Sequence, residues 1–209
     1  MAGRNRRGFT LIEVLIVISI IGVLMALLVP TLVGARLRAA VTAVKAELSQ
    51  LKSALETYNS KFGDYPPTSL ADLGGPKKGD DVNQGIESVV ACLSTRKGSG
   101  PYFNFNEKQL QNRDEDAADK NLTDWVYGDN SLFEFEDRWS GPYVYIHSRD
   151  YEKPEGLNKY ITATNPEPFE ITPIKSKKTK SFVNPVSFQI WSLGPDGINQ
   201  DGETDDIAE

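Results

Sequence analysis

Residues 14–35 of this chain, "VLIVISIIGVLMALLVPTLVGA", carry no charged side chain, and Glu13 stands immediately before them. A helix needs about 20 apolar residues to cross hydrocarbon, so the stretch suits a membrane span or a filament core. A carboxylate is among the costliest side chains to place in hydrocarbon. Any account of the segment must therefore also account for Glu13.

Three readings compete. A secretory signal has a basic start, a short apolar core and a small-residue cleavage site, and "VGA" at 33–35 supplies the last of these. Its core is about 7–15 residues, which this run exceeds. An uncleaved anchor fits the length, with Arg4, Arg6 and Arg7 held on the cytoplasmic side, but leaves Glu13 unexplained. A cut after Gly8 makes Phe9 the first residue, with a new positive amine one helical turn from Glu13.

The rest of the chain bounds the architecture. With 209 residues, 39% of them hydrophobic, it has material for one apolar segment and one modest globular domain. A formal net charge of -6 gives no sign of a nucleic-acid partner. Cys92 is the only cysteine and His147 the only histidine, so neither an internal disulfide nor a Cys/His metal cluster can form. A Cys92/His147 nucleophilic pair exists on paper, without an orienting third group.

Leu37, Val41, Val44, Leu48, Leu51, Leu55 and Tyr58 recur in steps of four and three, with charges on the other faces. Residues 9–59 can thus form one helix on the order of 75 Å long, apolar all round at first and amphipathic over 36–59. The stripe also suits a short two-stranded coiled coil, but three heptads serve equally well as a core-facing surface. Pro30 lacks an amide hydrogen and is expected to kink the helix, and to favour local melting there in a filament. Gly63, followed by Pro66 and Pro67, should end it.

A second helix is expected in "QGIESVVACL" from Ile86, Val89, Val90 and Leu93. Residues 97–137 read as a polar surface excursion, with Phe103, Phe105, Trp125, Tyr127, Phe133 and Phe135 folding back onto the domain. "GPYVYIH", "NKYITAT" and "VSFQIWSL" alternate as strands between turn residues. The expected class is α+β, with a small antiparallel sheet lying on the amphipathic half of the first helix. "KSKKTK" at 175–180 reads as a hairpin or loop tip. Near the end, "SLGPDGINQDGETDDI" places Asp196, Asp201, Glu203, Asp205 and Asp206 in a Gly-rich loop. Hard oxygen ligands on a flexible loop suit calcium better than magnesium, while a solvated acidic tail fits the same residues.

The stretch "GFTLIEVLIVISIIGVLMALLVPTL" resembles the class III signal of type IV pilins and of the pseudopilins of type II secretion, matching at Gly8, Phe9, Glu13, Gly22 and Pro30. The resemblance implies a leader 1–8 removed by a prepilin peptidase, methylation of the Phe9 amine, and a transmembrane and filament-core segment 9–35. Glu13 would meet the Phe9 amine of a neighbouring subunit, a pairing that opposite charges in low dielectric favour. Three further stretches are similar to the major pseudopilin pattern: "QGIESVVACL", "DRWSGPYVY", where Arg138 and Ser140 depart mildly, and the ending with Ser192, Leu193, Gly194, Asp196, Gly197, Asp206 and Ile207.

That family's ending implies structural calcium in loop 192–207, held by Asp196 and Asp206 with Asp201, Asp205 and the Leu193 backbone. Extra residues at 74–83 and 104–136 depart from the pattern, and the acids of the loop are spaced differently. The implied protein is a structural subunit and not an enzyme: single-pass in the inner membrane, with domain 36–209 in the periplasm. It would form a homopolymer with minor pseudopilins on an inner-membrane assembly platform and drive protein export. A type IV pilin of a surface pilus and a membrane-anchored calcium protein that never polymerises are the alternatives.

Overall fold

A computed structural model describes residues 10–73, 82–118, 130–153, 159–200 and 206–208, the Pro30 side chain excepted. Helix α1, Leu11–Phe62, continues past Gly22, Pro30 and Gly34. In the single chain the backbone stays helical through Pro30, one missing hydrogen bond being bridged by intact turns on both sides. The Thr31 hydroxyl donates to the Leu28 carbonyl at 2.8 Å just beside it. Contacts divide the chain into two compact units that part after Ala40, within the helix.

In the first unit the large apolar side chains are exposed, from Leu11 at 83% to Leu37 at 46%. Leu37 was expected to open the core-facing stripe, yet burial begins only at Val41. In the second unit Val44, Leu48, Leu51 and Leu55 are fully buried, and Val41 and Tyr58 pack against the same core. The stripe therefore faces a domain core, as its length favoured. Gly63 ends the helix at φ +84°, its amide donating to the Asn59 carbonyl at 2.7 Å. This is the left-handed position at which glycine has no Cβ penalty.

Helix α2, Gln84–Leu93, is buried along its whole length. It lies so close to the neighbouring strand that a Cβ on Gly85 would collide with the Tyr145 carbonyl oxygen. The main sheet has three antiparallel strands in the order β3–β6–β7. Strand β3 is Val144–His147, β6 is Phe188–Ser192 and β7 is Ile207–Ala208. Val144 faces Trp191, His147 faces Phe188, and Ser192 faces Ile207. Two ribbons flank it: β1, Leu110–Gln111, with β2, Glu134–Phe135; and β4, Lys159–Tyr160, with β5, Phe169–Glu170.

The fold is α+β as expected, but the third strand of the main sheet differs. "NKYITAT" gives only the two-residue β4, because the chain's donors then turn elsewhere. The Ile161 amide donates to the Asn83 side chain at 3.1 Å and the Thr162 amide to the Asn165 carbonyl at 2.9 Å. The end of the acidic segment supplies β7 instead. The excursion does fold back, with Phe105 and Phe135 buried and Phe103 and Phe133 packed beside the core. Trp125 and Tyr127 lie outside the described residues.

Candidate functional site

At the start of α1, Glu13 has a local partner. The Thr10 amide and hydroxyl each donate to Glu13 Oε2 at 2.8 Å, and the Glu13 amide donates back to Thr10 Oγ1 at 3.3 Å. This is a capping box. Its signature, Thr followed three residues later by Glu ahead of an apolar run, is legible in "TLIE". Glu13 is thus not a bare charge at the head of the helix. Gly8 and Phe9 lie outside the described residues, as does the side chain of Pro30.

The C-terminal loop leaves the sheet at Ser192. Leu193 is buried, and the chain turns through Gly194 at φ +71° and Gly197 at φ +66°. A Cβ on Gly197 would come within 2.8 Å of Thr164 Oγ1, so the loop lies close to its neighbour there. Asp196 Oδ1 accepts the Ile198 amide at 2.9 Å, and Oδ2 accepts the Gln200 side-chain amide at 2.9 Å. The Gln200 backbone amide donates to Asp206 Oδ2 at 2.7 Å. Gln200 thereby links Asp196 and Asp206, the two acids that head the sequence-based ligand set. Asp201 and Asp205 lie outside the described residues. With Leu193, the acids Asp196 and Asp206 offer carboxylate and backbone oxygens, a donor set whose chemistry suits a hard cation.

Asp137 is a residue that sequence reasoning passed over. It belongs to the "DRWSG" turn and is buried. Its Oδ1 accepts the amides of Trp139 at 2.8 Å and Gly141 at 3.1 Å, and its Oδ2 accepts the Ser192 hydroxyl at 2.5 Å. Ser192 Oγ in turn accepts the Gly194 amide at 3.0 Å. One carboxylate therefore ties the middle turn to the mouth of the acidic loop. Burial outweighs these bonds and raises its pKa. Glu47 of α1 holds the same turn, accepting the Tyr143 hydroxyl at 2.8 Å and the Arg138 guanidinium at 3.1 Å.

A second acidic centre joins parts distant in sequence. Ligand oxygens of Glu87, Asp114 and Asp116 lie within 4.8 Å of one another. Glu134 is bonded to Asn83 Nδ2 at 2.8 Å and to the Arg113 amide at 3.1 Å. Burial, reinforced by Asp114, pushes its carboxyl up to about 7. No spacing rule finds this group, because α2, the excursion and β2 each supply part of it.

Cys92 and His147 do not form a pair. Burial pushes the Cys92 thiol up to about 11, where little reactive thiolate exists at neutral pH. His147 Nε2 lies 3.0 Å from Asp64 Oδ1, and its Nδ1 accepts the Arg149 amide at 3.1 Å. Nε2 thus meets the segment that follows α1, while Nδ1 caps the turn at 148–150.

The prokaryotic N-terminal methylation motif matches residues 3–29. The type IV wide pilus major component PilA4 of Thermus thermophilus is 46% identical over 92 residues, covering 44% of this chain and 70% of that protein. The type II secretion system core protein G of Escherichia coli is 38% identical over 86 residues, 41% of this chain, so that the chain spans half (50%) of that relative. The core protein G of Pseudomonas aeruginosa is 29% identical over 146 residues, covering 70% of this chain and 77% of that protein. No solved structure matches the chain.

Proposed function

This chain belongs to the type IV pilin-like family, and from that premise we propose that it is the major subunit of a type II secretion pseudopilus. A prepilin peptidase removes residues 1–8, and the Phe9 amine is methylated. The subunit then rests in the inner membrane as a single span with its domain in the periplasm. An assembly platform and minor pseudopilins draw it into a homopolymer that drives protein export. The role is structural rather than enzymatic.

The observation that carries this reading is the exposure of the apolar half of α1. Leu11 is 83% exposed, Leu27 68% and Val33 62%, far more contiguous apolar surface than a free soluble chain tolerates. Lipid covers it before assembly and other copies cover it afterwards. In the filament Glu13 exchanges its Thr10 partner for the amine of a neighbouring Phe9, since a charge taken out of water needs an opposite charge beside it. The capping box keeps the carboxylate bonded until then.

Calcium is assigned to loop 192–207, held by Asp196 and Asp206 with Asp201, Asp205 and the Leu193 carbonyl. The ion offsets the mutual repulsion of these acids and secures β7 on the sheet where no disulfide exists. Asp137 supports the loop by fixing Ser192.

Similarity to the Thermus wide-pilus protein favours a second reading, a surface pilus. Intact mass of the membrane form tests the shared premise, with a methylated Phe9 start expected and retention of residues 1–8 refuting both. Deleting the gene then separates them: loss of secreted proteins into the medium supports the pseudopilus, whereas loss of surface fibres with secretion intact assigns the pilus.

A further inference from the structure

The lysine-rich segment 175–180 lies outside α1 and the acidic loop, and it is a built hairpin. Lys175 and Phe182 form an antiparallel bridge. The Ser176 amide donates to the Ser181 carbonyl at 2.9 Å, and the Lys180 amide to the Ser176 carbonyl at 2.8 Å. Strand β6 clamps its base. The buried Gln189 side chain accepts the Ile174 amide at 2.6 Å and donates to the Ile174 and Val183 carbonyls at 2.9 and 2.7 Å.

The hairpin is a basic knob on an acidic chain. Lys175, Lys177, Lys178 and Lys180 are all exposed, with no acid between them, while the whole chain carries a net charge of -6. Among the described residues no carboxylate lies within ion-pair distance of Lys178 or Lys180.

A cleft of about 460 Å³ on the same unit has the opposite character. Phe169 and Ile198 give it apolar wall, Thr164 and Asn165 give neutral polar groups, Glu170 and Asp196 give carboxylates, and among the described residues no lysine or arginine lines it. A lysine side chain needs that combination, apolar surface along its stem and oxygen at its head.

We propose that, in the filament, the hairpin of one subunit seats Lys178 and Lys180 against the Glu170 cleft of a neighbouring copy. The inference rests on the filament reading of the preceding subsection. Hairpin and cleft are different patches of one chain, so the contact is heterologous and propagates into an open helical array instead of closing as a two-fold dimer. A clamped hairpin also loses less freedom on docking than a loose loop. Glu170, which faces Lys159 across the β4–β5 ribbon, is the committed acceptor, because Asp196 belongs to the calcium loop of the preceding subsection.

Zero-length carbodiimide coupling of filaments of the full chain should join Lys178 or Lys180 to Glu170 between subunits. The double variant Lys178→Glu/Lys180→Glu and the single variant Glu170→Lys should each reduce filament yield roughly five-fold, and combining the three should restore most of it. Wild-type filaments without the cross-link, or variants that assemble normally, overturn the contact. Lysine-dependent binding to phosphatidylglycerol vesicles without the cross-link also overturns it, assigning the hairpin to a membrane surface. Failure of the wild-type chain to polymerise at all sinks the filament reading instead, and is distinguished by the absence of any fibre.

Discussion

The two parts of α1 share a backbone and differ in what holds them. Before Val41 the large apolar side chains are exposed, whereas Val44, Leu48, Leu51 and Leu55 are sealed in the domain core. The later part is stabilised within the chain by burial of one face. The earlier part has apolar residues all round and leaves them exposed in the single chain, the surface that the proposed lipid and filament contacts would cover. One helix thus combines a finished structure with an unfinished one, and substitutions in the two parts should act on different equilibria.

The largest effect expected from that contrast is on assembly. Breaking a buried ion pair costs about 3–5 kcal/mol, so Glu13→Ala should reduce filament yield by more than about a hundredfold while leaving cleavage and membrane insertion intact. Normal filaments from this variant, seen by sedimentation and microscopy, would remove the pairing argument. In the second part, Leu51→Ala should destabilise the domain by about 2–5 kcal/mol without altering insertion. Leu24→Ala should leave the domain's unfolding midpoint unchanged, and equal effects of the two substitutions would break the contrast.

A third prediction concerns pH. The folded-state pKa of Glu134 is raised to about 7, above about 4.3 for an unperturbed glutamate. Between those values the folded state holds a proton that the unfolded chain has released, so this contribution to stability declines as pH rises from about 4.3 to 7. Glu134→Gln should flatten that decline and stabilise the domain above neutrality by up to roughly 3 kcal/mol. Denaturant unfolding at a series of pH values reads it, and an unchanged profile would show that Glu134 does not titrate in this window. The smallest expected effect is that of the ion. Removing calcium held at ten to a hundred times its Kd should lower stability by about 1–3 kcal/mol. The purified full-length chain should melt a few degrees lower in chelator and recover with calcium, and no response would return loop 192–207 to a solvated acidic tail.

Much of this was legible before the fold was known. The apolar run, the stripe from Val41 to Tyr58 and the Gly63 stop follow from periodicity and local chemistry, and α2 follows from Ile86, Val89, Val90 and Leu93. Leu37 misled because a stripe states which side chains share a face, not where the domain begins to cover it. "NKYITAT" misled because alternation cannot reveal that Asn83 takes the Ile161 amide. Asp137 looked like one residue of a turn, since its bond to Ser192 spans 55 positions.

By itself the sequence determined what depends on neighbours along the chain: a membrane-length helix, the Thr10/Glu13 cap, and a Gly-rich run of acids near the C-terminus. Tertiary structure alone decided which distant groups meet. It set Ile207–Ala208 as the third strand of the main sheet, gathered Glu87, Asp114 and Asp116 into one acidic centre, and clamped the basic hairpin from Gln189. The reason is physical: helices, caps and turns are selected by interactions within a few residues, whereas strand pairing and buried charge depend on the packing that brings remote segments together.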